Sequence, residues 1–270
     1  MFKVMTMSFV GAAVVAGVAA IAPAPIGAQG GSVAAPPDFT GVYYPVAPFG
    51  APAGGQRGNA QAAGRPQGPP PPPTRSAPTS DGSQGRAPTA PKLTPEYMAK
   101  WEIMRKSRMS GSSEFDPVAK CIPQGMPSMM GMLYGMEIQQ TKDKITMFGE
   151  LNDMYRRIYL DGRKASQKVL DDPTYAGYST GHWESDTLLV DTVALHPDSL
   201  LDAFSPHSDQ MTVKERIRLT APGVLEDRIT VFDPKALLEP HESVRTFRKA
   251  SPPNDELREF ACAEGLERAK

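Results

Sequence analysis

Hydrophobic and polar residues alternate through much of the chain beyond residue 136, and such alternation is typical of β-strands. The pattern is clearest between Tyr178 and Ala194, where Ser185-Asp186 separates two runs rich in aromatic and β-branched residues. A short polar pair between two such runs predicts a hairpin with a tight turn. Both faces of its second arm are largely apolar, so we expect this strand to be covered on both sides.

The same pattern predicts further strands, separated by turn residues such as Lys142-Asp143, Asp161-Gly162 and Pro222-Gly223. We place them at residues 38–44, 137–141, 144–151, 154–160, 211–220, 224–232, 243–249 and 257–262. Strands that follow one another through short turns favour antiparallel pairing. We therefore predict a mainly β protein, an antiparallel up-and-down barrel of the lipocalin-like kind, with a β-sandwich as the alternative.

One helix is predicted on the N-terminal side of the barrel strands. It starts at Thr94-Pro95-Glu96, which supplies a capping hydroxyl, a proline at the first helical position and a carboxylate near the positive end of the helix dipole. Tyr97, Trp101 and Met104 recur at helical spacing and form one apolar stripe. We expect this helix to end within residues 107–112 and to flank or plug the barrel.

The first 28 residues have a different composition. Lys3 precedes an apolar, alanine-rich run over residues 4–21, and prolines and small residues lead to Gly27-Ala28. This order predicts a secretory signal peptide at 1–28, cleaved after Ala28, and hence a periplasmic or secreted protein; a retained membrane anchor is the alternative. After signal removal we expect no integral membrane span.

The exported part divides by composition into a short first strand region at 29–46, a linker at 47–92, a barrel domain at 93–265 and a frayed tail at 266–270. The linker is rich in Gly, Pro, Ala, Gln and Arg and contains five prolines at 69–73, so it is predicted to be disordered. The net charge of −1 and the lack of a basic tract argue against nucleic acid as a partner.

Cys121 and Cys262 are the only cysteines in the chain. In an oxidising compartment each has only the other as a partner within the chain, so a disulfide is predicted; two buried free thiols are the alternative.

Five methionines lie between Met126 and Met136. Thioether sulfur is a soft ligand, which raises the hypothesis of a copper(I) site. The simpler interpretation is a loop whose methionines fill an irregular gap. No histidine or second cysteine lies beside them, so we predict neither a metal nor another cofactor.

Several motifs resemble those of a widespread family of secreted bacterial proteins. They are Cys121-Ile-Pro-Gln-Gly-Met-Pro127, Arg156-Arg-Ile-Tyr-Leu-Asp-Gly-Arg163, Gly181-His-Trp-Glu-Ser-Asp-Thr-Leu-Leu-Val-Asp-Thr192, Pro206-His-Ser-Asp209 and Glu215-Arg216. The resemblance covers roughly residues 94–262 and the segment 38–43. It implies export and an ordered domain, and it implies no particular chemistry. The segment Asp38-Phe-Thr-Gly-Val-Tyr43 also resembles the first strand of lipocalin-type barrels, although Tyr43 stands where those proteins have tryptophan.

Four charged residues stand within otherwise apolar strand faces, and we treat them as candidate catalytic residues: Arg156, Asp191, Glu215 and Asp227. If those faces line the barrel, the four converge there. A buried arginine must be compensated by a carboxylate, and a surplus carboxylate would have a raised pKa suited to acid–base chemistry. The alternatives are a structural salt-bridge network and a solvated face.

Aromatic and histidine side chains supply a candidate ligand-binding set: Trp101, Tyr178, His182, Trp183 and His207. No nucleophile elbow, phosphate-binding glycine loop or paired-cysteine metal motif accompanies them. We therefore predict a secreted barrel that binds a small apolar or amphipathic molecule. The alternatives are a barrel enzyme of the isomerase, cyclase or hydrolase kind that uses an interior Asp or Glu with an arginine anchor, and an envelope-associated structural or interaction protein.

Overall fold

A computed structural model of the chain describes residues 35–46, 89–202, 204–260 and 262. The predictions of a signal peptide, of most of the proline-rich linker and of a frayed tail concern residues outside these ranges. The last residues assigned to the linker are described, and they lie against the barrel: the backbone N–H of Leu238 donates to the Lys92 carbonyl at 2.8 Å.

Nine strands form a closed barrel in chain order, and the ninth strand pairs with the first. They are β1 (Gly41–Pro45), β2 (Met136–Gln140), β3 (Lys144–Gly149), β4 (Met154–Tyr159), β5 (Tyr178–Glu184), β6 (Thr187–Val193), β7 (Thr212–Ala221), β8 (Val224–Phe232) and β9 (His241–Lys249). Two α-helices, α1 (Pro95–Met109) and α2 (Gln167–Asp171), and short 3₁₀ turns at Val118–Lys120, Ser128–Gly131 and Leu151–Asp153 complete the described elements. The predicted barrel is confirmed, and the sandwich alternative is set aside.

One neighbouring pair of strands, β4 and β5, runs parallel. Nine strands cannot close a ring with alternating directions throughout, so at least one pair must be parallel. The connection between β4 and β5 contains α2, and the two strands meet only through Ile158 with Ser179 and Tyr159 with Thr180. The sheet is therefore weakly joined at this seam, which the sequence pattern did not predict.

The predicted hairpin is present, with β5 and β6 paired antiparallel from Tyr178 with Val193 to Glu184 with Thr187. Ser185 adopts φ +57°, as a tight turn requires. The inner face of β6 is buried, but on its outer face Leu189 and Val193 are half-buried and Asp191 is exposed. The expectation that both faces of this strand would be covered was wrong.

Alternating strand residues fill the barrel interior. The largest side chains that are less than 2% exposed include Ile138, Ile145, Met147, Ile158, Leu188, Ile217 and Leu225. Burying one such aliphatic side chain stabilises the fold by about 1.5–3 kcal/mol, so this layer is the main source of stability.

Helix α1 docks on the core through Tyr97 and Trp101, both 8% exposed. Pro95 occupies the first turn as predicted, but the Thr94 hydroxyl does not cap the helix. It donates instead to the Lys235 carbonyl at 3.0 Å, while the Thr94 N–H donates to the Ala236 carbonyl. These bonds fix the start of α1 to the connection between β8 and β9. Within the described ranges, no helix is long and apolar enough to cross a bilayer.

The C-terminal segment is held to the barrel by side-chain contacts and by the Cys121–Cys262 disulfide. Residues 257–260 form no strand, which corrects the prediction of one at 257–262. The ring of Phe260 meets that of Tyr134 edge-on at 6.4 Å, and the Tyr44 hydroxyl donates to the Glu256 carbonyl.

Candidate functional sites

A band of polar side chains crosses the barrel interior, one from each of five consecutive strands. It consists of Arg156 (β4), Ser179 (β5), Thr192 (β6), Glu215 (β7) and Asp227 (β8), and each is at most 1% exposed. Strand alternation explains the placement of the three charged residues, because their neighbours two positions away are buried: Met154 and Ile158, Val213 and Ile217, Leu225 and Ile229.

Arg156 is the centre of this band. Its Nη1 donates to Glu215 Oε1 at 2.8 Å, and its Nη2 donates to Glu215 Oε2, which makes a bidentate ion pair. Its Nε donates to Ser179 Oγ at 3.0 Å, and Nη2 also donates to Thr192 Oγ1 at 2.9 Å. The two hydroxyls lie 2.9 Å apart. The guanidinium is thus satisfied from three directions, as a buried cation requires.

Asp227 lies beside this ion pair and differs from Glu215 in its surroundings. Burial, and then the nearby Glu215 carboxylate, raise the pKa of Asp227 well above its ordinary value, and Arg156 opposes the shift. Neither carboxyl oxygen of Asp227 has a hydrogen-bond partner of good geometry among the described residues. Desolvation favours the neutral acid. The band therefore combines a charged pair with a carboxyl group that resists ionisation.

Asp191, the fourth candidate, lies outside the barrel. Its side chain is 55% exposed, and Oδ1 lies 3.0 Å from Lys214 Nζ on the neighbouring strand. The sequence shows two alternating faces of β6 but not which of them points inward. The placement of Asp191 among the interior charges was therefore wrong.

The structure does not bring the candidate ligand-binding residues together. Trp101, on α1, belongs to the buried core. Trp183 packs against the edge of that core, with its ring 5.1 Å from that of Phe39. His182 is exposed on the outer face of β5, with Nε2 3.8 Å from Glu184 Oε1.

His207 is buried in the connection between β6 and β7. Its Nδ1 lies 2.7 Å from the Ser208 carbonyl oxygen, and its Nε2 lies 2.7 Å from Ser199 Oγ. A carbonyl only accepts, so Nδ1 carries the proton and the Ser199 hydroxyl donates to Nε2. Burial lowers the pKa of His207, which favours the neutral ring. Ser199 is 1% exposed, so this Ser–His pair is closed to solvent and joins two loop segments.

Tyr178 lies in a groove of about 500 Å³ on the outside of the barrel at the β4–β5 seam. We call this the tyrosine groove, because four tyrosines line it: Tyr155, Tyr159, Tyr175 and Tyr178. The rings of Tyr159 and Tyr178 lie 5.2 Å apart, and Tyr175 stacks on His196 at 4.6 Å. The groove exists because β4 and β5 share only two residue pairs before the α2 connection leaves the sheet.

Two cations and two carboxylates also line the tyrosine groove. The Arg157 guanidinium lies 4.6 Å from the centre of the Tyr155 ring. Within the described part of the chain, neither Arg157 nor Lys168 has a carboxylate within 4.0 Å, and Asp153 and Asp172 likewise have no ion-pair partner.

Sequence reasoning missed Ser179 and Thr192, since hydroxyl residues are ordinary in strands. It also missed Tyr155 and Tyr159. The sequence does contain a pattern that could have identified these two tyrosines. Tyr155, Arg157 and Tyr159 alternate along the face of β4 opposite the buried Arg156. The structure shows no cluster of three His, Cys, Asp or Glu side chains arranged for a metal ion in the ranges it describes.

No protein-family model matches the chain, and no curated protein matches it. Among solved structures, the chain is similar to the wild-type fluorescent protein UnaG, with 16% identity and a TM-score of 0.26 over 43% of this chain and 72% of that one. A single-site mutant of UnaG gives 15% identity and a TM-score of 0.27 over 51% and 88% of the two chains.

Proposed function

We propose that this protein binds a small amphipathic molecule in the tyrosine groove. The observation that carries the proposal is the groove itself, a concavity of about 500 Å³ lined by four tyrosines and by two cations that have no ion-pair partner among the described residues. Small-molecule sites typically have such volumes, with aromatic walls and a few polar groups that orient the ligand.

The chemistry of the walls favours a ligand with an aromatic or apolar body and one anionic group. Tyrosine rings offer apolar faces and polar edges, which suits an amphipathic body. Arg157 presents a planar guanidinium that can bind a carboxylate or sulfonate through two N–H groups. Asp153 and Asp172 also line the groove, so a ligand with several negative charges is disfavoured.

Anilinonaphthalene sulfonate, an aromatic molecule with one anionic group, is a direct probe of this site. We expect its fluorescence to rise on binding to the folded protein. Tyr155→Ser removes an aromatic wall and Arg157→Gln removes the anion partner, so each should weaken binding by about tenfold, the effect of losing about 1.4 kcal/mol. Both side chains are exposed on β4, so the fold should tolerate the changes.

Arg248→Gln is the matched control, because Arg248 is an exposed arginine on β9 without an ion-pair partner among the described residues and does not line the groove. It should leave probe affinity unchanged. Equal affinity in wild type, Tyr155→Ser and Arg157→Gln would refute binding in the groove, as would equal loss in the control.

A second candidate function is acid–base catalysis within the barrel. One feature favours it: burial raises the pKa of Asp227 well above its ordinary value, and this carboxyl group lies beside the Arg156–Glu215 ion pair. A protonated carboxyl group near neutral pH can act as a general acid. A metabolite screen that monitors turnover tests this candidate. Any activity found should be lost in Asp227→Asn, and activity that survives in this variant would exclude Asp227 as the acid.

We further propose that the chain is exported and cleaved after Ala28. The disulfide supports this, because such bonds persist in oxidising compartments. Intact mass of the exported protein should correspond to a chain that begins at Gln29. A mature protein that still begins at Met1 would contradict the proposal.

A further inference from the structure

A second, much smaller cavity lies beside the start of β2, and four of its eleven lining residues are methionines. Met129 and Met132 come from the 3₁₀ turn Ser128–Gly131 and the residue after it, Met136 begins β2, and Met154 begins β4. Three separate segments of the chain therefore contribute methionines to the walls of one cavity.

The size of this methionine cavity, about 20 Å³, limits what it can hold. A volume of about 10–15 Å³ accommodates one water molecule, so there is space for one small occupant and not for an organic ligand. Thioether sulfur is only a weak hydrogen-bond acceptor, so the methionine part of the wall offers water little, and the polar atoms of the lining come from other residues.

We propose that the methionine cavity binds one soft monovalent cation, Cu(I) or its analogue Ag(I). Thioether sulfur selects such cations over Mg²⁺, Ca²⁺ and other hard ions. Both cysteines of the chain are joined in the disulfide, so methionine is the remaining soft ligand of the protein. This revises the interpretation of these methionines as gap-filling residues.

Two polar residues complete the site. Glu150 lines the cavity, and its carboxylate balances the single positive charge of the cation. Gln124 also lines the cavity, is 2% exposed, and its Nε2 has no hydrogen-bond partner among the described residues. Rotating this amide about its last torsion exchanges Nε2 and Oε1, which have nearly the same shape, so its oxygen is available as a further ligand.

The first experiment titrates the full protein with Ag(I) and follows the methyl signals of ¹³C-labelled methionine by NMR. We expect one equivalent to bind and to shift the signals of Met129, Met132, Met136 and Met154. The signal of Met98, which packs against the core from α1, should stay in place. Shifts spread over all methionines, or no shift at one equivalent, would overturn the proposal without any variant being needed.

The second experiment measures Cu(I) affinity by competition with a bathocuproine chelator in ascorbate. Met129→Leu and Met132→Leu replace two half-buried thioethers by apolar side chains of similar volume, a change that cores tolerate. The double variant should bind Cu(I) at least about tenfold more weakly. Met98→Leu is the matched control and should keep wild-type affinity.

Unfolding curves of the variants establish that each one is folded. Loss of affinity in the double variant alone supports the site. Unchanged affinity in the folded double variant, or equal loss in Met98→Leu, means that the methionines only fill the gap between these segments.

Discussion

At Arg156, the cost of burying a charge is offset by pairing that charge with a carboxylate. The Arg156 side chain forms a bidentate pair with Glu215, and both side chains of the pair are 0% exposed. Arg156→Met leaves the Glu215 carboxylate buried without its cation, so we expect a loss of about 3–5 kcal/mol in the free energy of unfolding. Chemical denaturation measures this loss.

The double variant Arg156→Met with Glu215→Leu tests whether the loss comes from the unpaired buried carboxylate. It removes both charges and keeps apolar volume, so most of the lost stability should return. A loss below about 0.5 kcal/mol in the single variant, as is usual for surface positions, would mean that the pair contributes little.

Asp227 is stabilised in its neutral form, so its contribution to the free energy of unfolding depends on pH. Its pKa is raised in the folded protein and lies near 3.8 in the unfolded chain. At any pH between 3.8 and the folded pKa, folding is therefore accompanied by the uptake of a proton. The stability from this group is complete below 3.8 and is lost as pH rises toward the folded pKa. We expect Asp227→Asn to flatten the decline in unfolding free energy that sets in as pH rises above about 3.8, the pKa of this carboxyl group in the unfolded chain.

Asp209→Asn is the control for this pH profile. Lys235 lowers the pKa of Asp209, so its titration lies below the measured range. The variant should shift the stability curve without changing its slope above about pH 5. An unchanged slope in Asp227→Asn would contradict the neutral form of that carboxyl group.

Residue identity predicts part of this interior site and not the rest. Arg156, Glu215 and Asp227 are conspicuous because each is charged and stands between apolar residues on its strand face. Asp191 has apolar neighbours too, yet it points outward, because the alternation of β6 leaves the inner face undetermined. Ser179 carries no such contrast, and only the three-dimensional structure shows its bond to Arg156.

At the scale of elements, the entry to β5 depends on Gly177. Its φ is +66°, and an added Cβ would lie 2.7 Å from Thr192 Cγ2, 2.8 Å from Leu195 Cδ2 and 2.9 Å from the Val193 carbonyl oxygen. We expect Gly177→Ala to cost about 2 kcal/mol or more, from backbone strain and crowding together. Thermal or denaturant unfolding measures the change.

Gly162→Ala separates the two causes. Gly162 has φ +76°, but an added Cβ there meets no described atom within 4 Å. This variant should show the cost of the backbone conformation alone and be the less destabilised of the two. Equal losses of unfolding free energy in Gly177→Ala and Gly162→Ala would mean that the neighbours of Gly177 move aside without cost.

Local pattern predicts strands better than it predicts their partners. The strand at 224–232 was predicted with the bounds of β8, and Lys142-Asp143 separates β2 from β3 as expected. The parallel contact between β4 and β5 depends on closing a ring of nine strands, which no local run of residues encodes. The tyrosine groove follows from that contact, so sequence reasoning reached only Tyr178 among its tyrosines.

The segment at 257–260 was predicted as a strand from its local pattern, but it has no strand to pair with among the described residues. Its short apolar alternation suits a strand, but β9 already pairs with β1 and the ring has no free edge for it. The segment instead lies against Tyr134 and ends at the disulfide.

At the scale of the whole molecule, the disulfide links the segment before the barrel's second strand to the residues after its last. Cys121 and Cys262 are 141 positions apart, so the bond closes a loop that includes eight of the nine strands. In the chain-entropy model, a loop of this length stabilises a protein by about 5 kcal/mol, because it restricts the unfolded chain. We expect Cys121→Ser with Cys262→Ser to lower the free energy of unfolding by several kcal/mol, as chemical denaturation would show.

Reduction of the wild-type protein supplies the independent comparison. Dithiothreitol should lower the denaturation midpoint of the wild type to that of the double serine variant and should leave the variant itself unchanged. The native barrel contacts do not include this bond, so the strand pairing of both forms should persist in the absence of denaturant. A double variant as stable as the oxidised wild type would show that the unfolded chain is already restricted without the bond. In that case the disulfide would remove no further conformational entropy from the unfolded state.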